Sequence, residues 1–190
     1  DVDSGEIHKF QKGRFTAALD GQPWDKRFVN VWNLALSPDG GHMAAEVRLN
    51  LYDYTIAVDG VPWESRYTTV WEPVFNPVTG TVVAPVREKG MWQLAENGKS
   101  LWDRRFVQIW HQMFSPDGSR LAAIVAPKYG RWTVAVDGEP WPATFTQLVT
   151  DATFSPDGQR IAALAKDEET YRVVVDGSPW SDAWDMAWKP

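Results

Sequence analysis

The chain has 190 residues, of which 44% are hydrophobic and 23% charged, and this composition is ordinary for one soluble globular domain. The net charge of −6 and the scattered Lys and Arg residues argue against a nucleic-acid-binding surface, which needs clustered basic side chains. The absence of cysteine excludes disulfides and thiolate chemistry, and no apolar run approaches the roughly 18 residues of a membrane span. Tryptophan, with 12 residues, is unusually frequent.

Aromatic residues recur at a fixed spacing along the chain. A set that we call the repeat tryptophans, spaced 39 residues apart, consists of Trp24, Trp63, Trp102, Trp141 and Trp180. Four positions later the aromatics are Phe28, Tyr67, Phe106, Phe145 and Trp184. Eight positions later the residues are Trp32, Trp71, Trp110, Val149 and Trp188. Three positions kept over five copies predict one domain, residues 1–190, built from five structural repeats.

Two turn sequences alternate within these repeats. The first precedes each repeat tryptophan and contains Asp20-Gly21, Asp59-Gly60, Asn97-Gly98, Asp137-Gly138 and Asp176-Gly177. The second reads Ser-Pro-Asp-Gly and begins at Ser37, Ser115 and Ser155, with a degenerate copy beginning at Asn76. Both predict tight turns, because glycine adopts a positive φ without a Cβ clash and proline presets φ.

Short β-rich segments lie between the turns. In the third repeat the predicted strands are Trp110 to Phe114, Leu121 to Val125, Arg131 to Val136 and Thr144 to Leu148. Four antiparallel strands in about 40 residues is the composition of one propeller blade, so the sequence predicts an all-β, five-bladed β-propeller.

The two ends of the chain complement each other in this scheme. The segment from about Ile7 to Val31 supplies a second, third and fourth strand but no first strand. We predict that residues near Met186 to Pro190, or Asp1 to Ser4, supply it, so that both termini form one composite blade and close the ring. Closure would remove the exposed sheet edges that invite aggregation.

The turn sequences resemble those of WD40-like propeller repeats of the TolB type. The resemblance rests on Phe-Ser-Pro-Asp-Gly followed by Arg, Leu or Ile, and Ala-Ala, in Phe114 to Ala123 and Phe154 to Ala163. It covers nearly the whole chain and implies the fold, with little information about function.

The Asp-Gly-x-Pro-Trp turns and the tryptophan content resemble a narrower family. This family is the tryptophan-rich subunit of the membrane-bound, tetrahaem-cytochrome-containing electron-transfer complex of sulfate-reducing bacteria. The resemblance implies a soluble, cofactor-free subunit at the cytoplasmic side of a membrane redox complex. The chain lacks the cysteines that attach haem or iron–sulfur clusters, so its role there would be structural or regulatory.

A candidate binding surface lies where the fourth strand of one predicted blade connects to the first strand of the next. Its residues are Trp32, Asn33, Trp71, Glu72, Trp110, His111, Asp151 and Trp188. Polar residues that vary on a constant framework are typical of a binding surface, although tolerant loops would give the same pattern. The expected occupant is a partner protein or, as an alternative, a sugar stacked on tryptophan.

An enzymatic function is not expected. Glu72 and Asp151 are the only carboxylates predicted at the channel mouth that could act as the acid and base of a glycoside hydrolase. The three histidines, His8, His42 and His111, share no repeat position and no metal-ligand spacing. The repeat tryptophans are expected to be structural, each filling the wedge between neighbouring blades, with exposed stacking as the alternative.

Overall fold

A computed structural model describes residues 15–187 of the chain, and all regular secondary structure in this range is β-strand. The chain divides into two compact units. The first contains the chain up to residue 76 together with 80–89 and 94–101, and the second contains 77–79, 90–93 and the chain from residue 102. No helix within residues 15–187 is long and apolar enough to cross a membrane.

Four antiparallel sheets and one short hairpin make up this range. The hairpin consists of Ala18–Leu19 and Gln22–Pro23. The first sheet consists of Asn30–Leu36, Met43–Arg48, Tyr54–Val58 and Val61–Pro62. The second sheet consists of Thr69–Val70, Val74–Phe75, Val82–Glu88, Met91–Glu96 and Lys99–Ser100. The third sheet consists of Gln108–Phe114, Leu121–Lys128, Arg131–Val136 and Glu139–Pro140. The fourth sheet consists of Leu148–Phe154, Ile161–Asp167, Thr170–Val175 and Ser178–Pro179.

Strands pair in chain order within the first, third and fourth sheets. In the second sheet the first strand is broken into two segments, and both pair with Val82–Glu88. The prediction of antiparallel four-stranded units is therefore confirmed.

The predicted position of the fourth strand is wrong. We expected Thr144 to Leu148, but the fourth strand is Glu139–Pro140, directly after the turn. Of the predicted segment only Phe145 pairs back, in a single bridge to Trp132, and Leu148 already begins the next sheet. After the turn, only Glu139 and Pro140 pair with the third strand before the regular strand pairing ends.

The blade count and the ring closure remain predictions. The first repeat contributes the hairpin and a bridge between Phe15 and Phe28. The strand predicted from Asp1 to Ser4 lies outside the described residues, as do the last three residues of the segment Met186 to Pro190.

The turns before the repeat tryptophans are two-residue type I′ hairpins. Asp59 has a φ of 49° and Gly60 a φ of 80°, and the other four copies have closely similar values. Positive φ at both residues matches the twist of the flanking strands. The Asp59 carboxylate also accepts a hydrogen bond from the Met43 amide, with Oδ1 and N 2.9 Å apart, and this bond ties the turn to the second strand.

Each repeat tryptophan except the last packs on the glycine of the next sheet's hairpin turn. We call this contact the Trp–Gly joint. It forms four times, in the pairs Trp24–Gly60, Trp63–Gly98, Trp102–Gly138 and Trp141–Gly177. A Cβ atom added to these glycines would lie 2.9 to 3.3 Å from the nearest tryptophan atom, so no larger residue fits without movement.

Burial of the repeat tryptophans follows from the joints. Trp63 and Trp102 are 8% and 6% exposed, whereas Trp24 and Trp141 are partly buried and pack against apolar clusters of their own unit. Trp180 is 52% exposed, so the expectation that all five fill a wedge is wrong for this residue.

Candidate functional site

A β-bulge interrupts the first strand of three sheets at the same place. The pairing shifts between Trp32 and Ala35 in the first sheet. The same shift occurs between Trp110 and Met113, and between Thr150 and Thr153. Two residues on the bulged strand therefore oppose one residue on its partner, and bulges of this kind re-aim side chains and are frequent near active sites.

Three predicted site residues occupy the first position of these bulges. Asn33, His111 and Asp151 have φ values of 46°, 52° and 51°. Asn, Asp and His are the non-glycine residues most enriched in this left-handed region. The sequence pattern of variable polar residues on a constant framework therefore has a local cause, because the backbone at this position selects a small group of polar side chains.

The first unit brings several predicted residues together around Trp32. Trp32 is 37% exposed and stacks on Tyr54, with ring centroids 6.3 Å apart and planes 20° apart. Asn33 is exposed, and its Nδ2 donates a hydrogen bond to Oε2 of Glu46 over 3.0 Å. Trp32 and Glu46 are cross-strand partners, so the indole and the carboxyl group lie side by side.

The Glu46 carboxyl is half-buried, and burial raises its pKa above the ordinary value. The hydrogen bond from Asn33 opposes this shift, and the negative charge of Glu72 adds to it. We call the group Trp32, Asn33, Glu46 and Glu72 the Trp32 cluster.

The second unit arranges its predicted residues differently. Trp110 packs edge-on against Trp132, with centroids 4.6 Å apart, and both belong to the apolar packing of this unit. The ring Nε2 of His111 lies 3.1 Å from the carbonyl oxygen of Ala152, a distance at which a ring N–H donates. Asp151 is half-buried at the neighbouring bulge.

Two predicted residues remain, Trp71 and Trp188. The half-buried Trp71 donates its backbone N–H to the Pro85 carbonyl oxygen, 2.9 Å away. Trp188 lies outside the described residues. Glu72 and Asp151, the candidate acid and base, belong to different units.

The alignment of Val149 with the tryptophans at Trp32 and Trp110 is wrong by one residue. Thr150 pairs with Leu164 as Trp110 pairs with Ile124, so Thr150 is the true counterpart. The fourth repeat has one extra residue between Phe145 and Val149 and one fewer in the hairpin between its second and third strands. The two changes cancel, and the 39-residue spacing of the repeat tryptophans hides them.

Sequence reasoning missed Glu46. A signal was present, because the residues that pair with Trp110 and Thr150 at this position are Ile124 and Leu164. Burying a carboxyl group at a position that is apolar in other repeats costs free energy unless the group has hydrogen-bond partners. Among residues 15–187, no group of three or more His, Asp or Glu side chains could hold a metal ion.

Comparisons with known proteins identify relatives by structure only. No family model matches the chain, and no curated protein matches its sequence. The β-propeller domain of the Trilobed protease from Pyrococcus furiosus, described as having an open velcro topology, matches with a TM-score of 0.57 and 11% identity. TolB from Acinetobacter baumannii matches with a TM-score of 0.53 and 18% identity, and the Dos1 propeller with 0.50 and 13%.

These alignments cover most of this chain and about half of each relative. They include 84% of this chain and 57% of the Trilobed domain, 80% and 43% for TolB, and 75% and 41% for the Dos1 propeller. At such low identities the likeness shows the fold alone. The four-stranded antiparallel sheets of this chain are therefore blades of a β-propeller, similar to those of TolB-type and WD40-like proteins.

Proposed function

We propose that this protein is a non-enzymatic binding propeller that docks a partner protein through the Trp32 cluster. The observation that carries the proposal is the exposed indole of Trp32 beside the half-buried carboxyl group of Glu46, whose protonation the charge of Glu72 also affects. Exposed tryptophan is typical of the residues that dominate binding energy at protein interfaces.

The chemistry of the cluster fits a basic side chain of the partner. A Lys or Arg cation attracts the face of an indole, and it forms charge-assisted hydrogen bonds with carboxylates. Asn33 holds one oxygen of Glu46, which fixes the orientation of the carboxyl group. The net charge of −6 would also draw a basic partner toward the chain.

The raised pKa of Glu46 predicts the pH dependence of this binding. Glu46 must be ionised to attract a cation, and burial moves its protonation to a higher pH than that of an exposed glutamate. Binding should therefore weaken, as the pH falls, before ordinary glutamates protonate.

The test uses an array of basic peptides and the variants Trp32→Ala, Glu46→Gln and Glu72→Gln. Each variant should weaken binding by about tenfold or more, the effect expected when a charged hydrogen bond or an anchoring aromatic is lost. Glu64→Gln is the matched control, because it removes the same charge from an exposed position in the same unit. Equal affinity for all four variants and the unmodified protein would refute the proposal.

The identity of the partner can be proposed from the sequence resemblance. We propose that the chain is an accessory subunit of a membrane-bound electron-transfer complex, and the support is its likeness to tryptophan-rich subunits. Affinity purification from gently solubilised membranes should recover cytochrome, iron–sulfur and membrane-spanning subunits. Recovery of the chain alone, from the soluble fraction, would contradict this assignment without affecting the peptide result.

Carbohydrate binding is the second candidate, because an exposed indole with nearby carboxyl and amide groups also suits a stacked sugar. Titration with a panel of oligosaccharides, followed by indole fluorescence, tests it. A response that Trp32→Ala abolishes would favour the sugar, and an unchanged signal across the panel would remove this candidate.

We further propose five blades, with the hairpin Ala18–Pro23 belonging to the fifth. The support is that the bridge between Phe15 and Phe28 recurs in all four sheets, for example between Trp92 and Phe106. Amide hydrogen exchange should protect Phe15 and Phe28 as it protects these counterparts. Fast exchange at Phe15 and Phe28 alone would leave four blades.

A further inference from the structure

Two residues of the repeat pattern form no Trp–Gly joint: the repeat tryptophan Trp180 and the hairpin glycine Gly21. Trp180 is 52% exposed, and the neighbouring Trp184 and Met186 are also exposed. A Cβ atom added to Gly21 would meet no described atom within 4 Å, although Gly21 has the same positive φ as the glycines in formed joints. One chain thus carries an uncovered tryptophan and an unoccupied glycine turn.

The formed joints show which groups meet around the indole. In the Trp102–Gly138 joint, Arg104 follows Trp102 by two residues and pairs with Glu139, which follows Gly138, with Nη2 and Oε2 2.9 Å apart. In the first unit, Ser65 occupies the equivalent position after Trp63 and donates its hydroxyl to the Gly98 carbonyl oxygen over 2.7 Å.

The residues at the equivalent positions near Trp180 and Gly21 are compatible with each other. Asp182 follows Trp180 by two residues, and Gln22 follows Gly21. The Gln22 amide can donate a hydrogen bond to the Asp182 carboxylate, so donor and acceptor are exchanged relative to Arg104 and Glu139, and no like charges are placed together. Both side chains belong to exposed residues and are available to a partner.

We propose that the surface around Trp180 binds the Asp20–Pro23 turn of a second copy of this chain. A second copy is the occupant because both halves of the joint are open in the same chain, and the turn it offers is of the kind that four joints already accept. The contact is head to tail, since it joins two different surfaces. It therefore forms a ring if the rotation closes and an open filament if it does not.

The absence of cysteine from the chain allows a direct test. Gln22→Cys and Asp182→Cys are prepared as separate proteins, mixed and treated with a bismaleimide, which spans the gap that the shorter cysteine side chains leave. Arg104→Cys with Glu139→Cys in one chain is the matched control, because the long native side chains at these positions meet. The mixture should give a cross-linked dimer on a denaturing gel, and the control should give a cross-linked monomer.

Two results would overturn the proposal. The first is a cross-linked monomer from the Gln22→Cys/Asp182→Cys double variant with no dimer from the mixture, which would place the joint within one chain. The second is no cross-link from either the mixture or the double variant while the control cross-links. Sedimentation analysis provides an independent measurement, in which Trp180→Ala should weaken self-association by about tenfold or more. Unchanged association in this variant would also contradict the proposal.

Discussion

Trp102 and Trp180 occupy the same place in two repeats, after the same kind of hairpin, but only one of them is buried. Trp102 is 6% exposed because Gly138 of the following sheet lies against it, whereas no following glycine covers Trp180, which is 52% exposed. The burial of each repeat tryptophan is therefore determined by the next repeat rather than by its own. The local sequence specifies the turn, and the neighbouring sheet supplies the packing.

The largest expected effect comes from removing the covered indole. Trp102→Ala should lower the free energy of unfolding by about 3–5 kcal/mol, as large-to-small aromatic core changes do. Trp180→Ala, at a protein concentration low enough to prevent association, should cost less than about 1 kcal/mol. Denaturant unfolding measures both, and equal losses would show that the two environments do not differ energetically.

The glycine side of the joint should show the same contrast. Gly60 and Gly21 have φ values of 80° and 78°, so alanine at either position costs about 1–2 kcal/mol of backbone strain. Gly60→Ala should cost a further 1–3 kcal/mol or so, because its Cβ would lie 2.9 Å from the Trp24 Cβ. The difference in unfolding free energy between the two variants measures the steric cost that the Trp24–Gly60 contact adds to the backbone strain. A difference near zero would mean that the indole moves aside without cost.

A buried threonine lies on the strand side of two of the four joints, Thr55 in the joint of Trp63 and Thr133 in the joint of Trp141. Thr133 is fully buried, and its Oγ1 donates to the Ala143 carbonyl oxygen over 2.7 Å, whereas Arg172 occupies this position in the repeat that ends at Trp180. Thr133→Val should cost about 1 kcal/mol, because the carbonyl loses its donor. Thr133→Ser, which retains the hydroxyl, serves as the control in thermal unfolding. If the two variants were equally destabilised, the loss would come from packing instead.

The smallest effect should be a pH dependence specific to one repeat. His42 Nδ1 lies 2.6 Å from Asp59 Oδ2, where the third and fourth sheets place Arg120 and Arg160 beside the equivalent aspartates. The hydrogen bond and charge of Asp59 raise the pKa of His42 above its usual 6.5. This stabilising contribution is complete below the unfolded-state pKa and is lost as the pH rises through the folded-state value.

Replacing His42 by arginine should remove this dependence, because arginine stays charged. Urea unfolding midpoints from about pH 5 to pH 8.5 would compare His42→Arg with the unmodified protein. Parallel pH profiles would show that the exposed pair contributes nothing measurable, as is common for surface ion pairs.

The sequence was informative where structure is local. Asp-Gly pairs predicted hairpins, and the third repeat placed three strands within a few residues of Gln108–Phe114, Leu121–Lys128 and Arg131–Val136. These features depend on backbone preferences and on apolar alternation. They do not require knowledge of neighbouring repeats.

Predictions failed where the outcome depends on a neighbour. The fourth strand could not be located at Glu139–Pro140, because nothing local shows that pairing stops after two residues. The exposure of Trp180 could not be distinguished from that of Trp102, since the two lie in similar local sequence. Glu46 was missed because its role depends on Asn33 across the sheet and on Glu72 from the next sheet.

The dependence of each tryptophan on the following glycine has a consequence for synthesis on the ribosome. The amino terminus of the chain is synthesised first. Each repeat tryptophan therefore stays exposed to solvent until roughly one more repeat has been translated and the hairpin turn of that repeat has formed. Nascent chains in which Gly138 is still inside the ribosomal exit tunnel should therefore differ in the fluorescence of Trp102 from chains in which Gly138 has emerged. The repeat tryptophans would therefore become buried in chain order, each after the following repeat has been translated. Trp180, the last of them, would still be exposed to solvent after its own repeat has been translated.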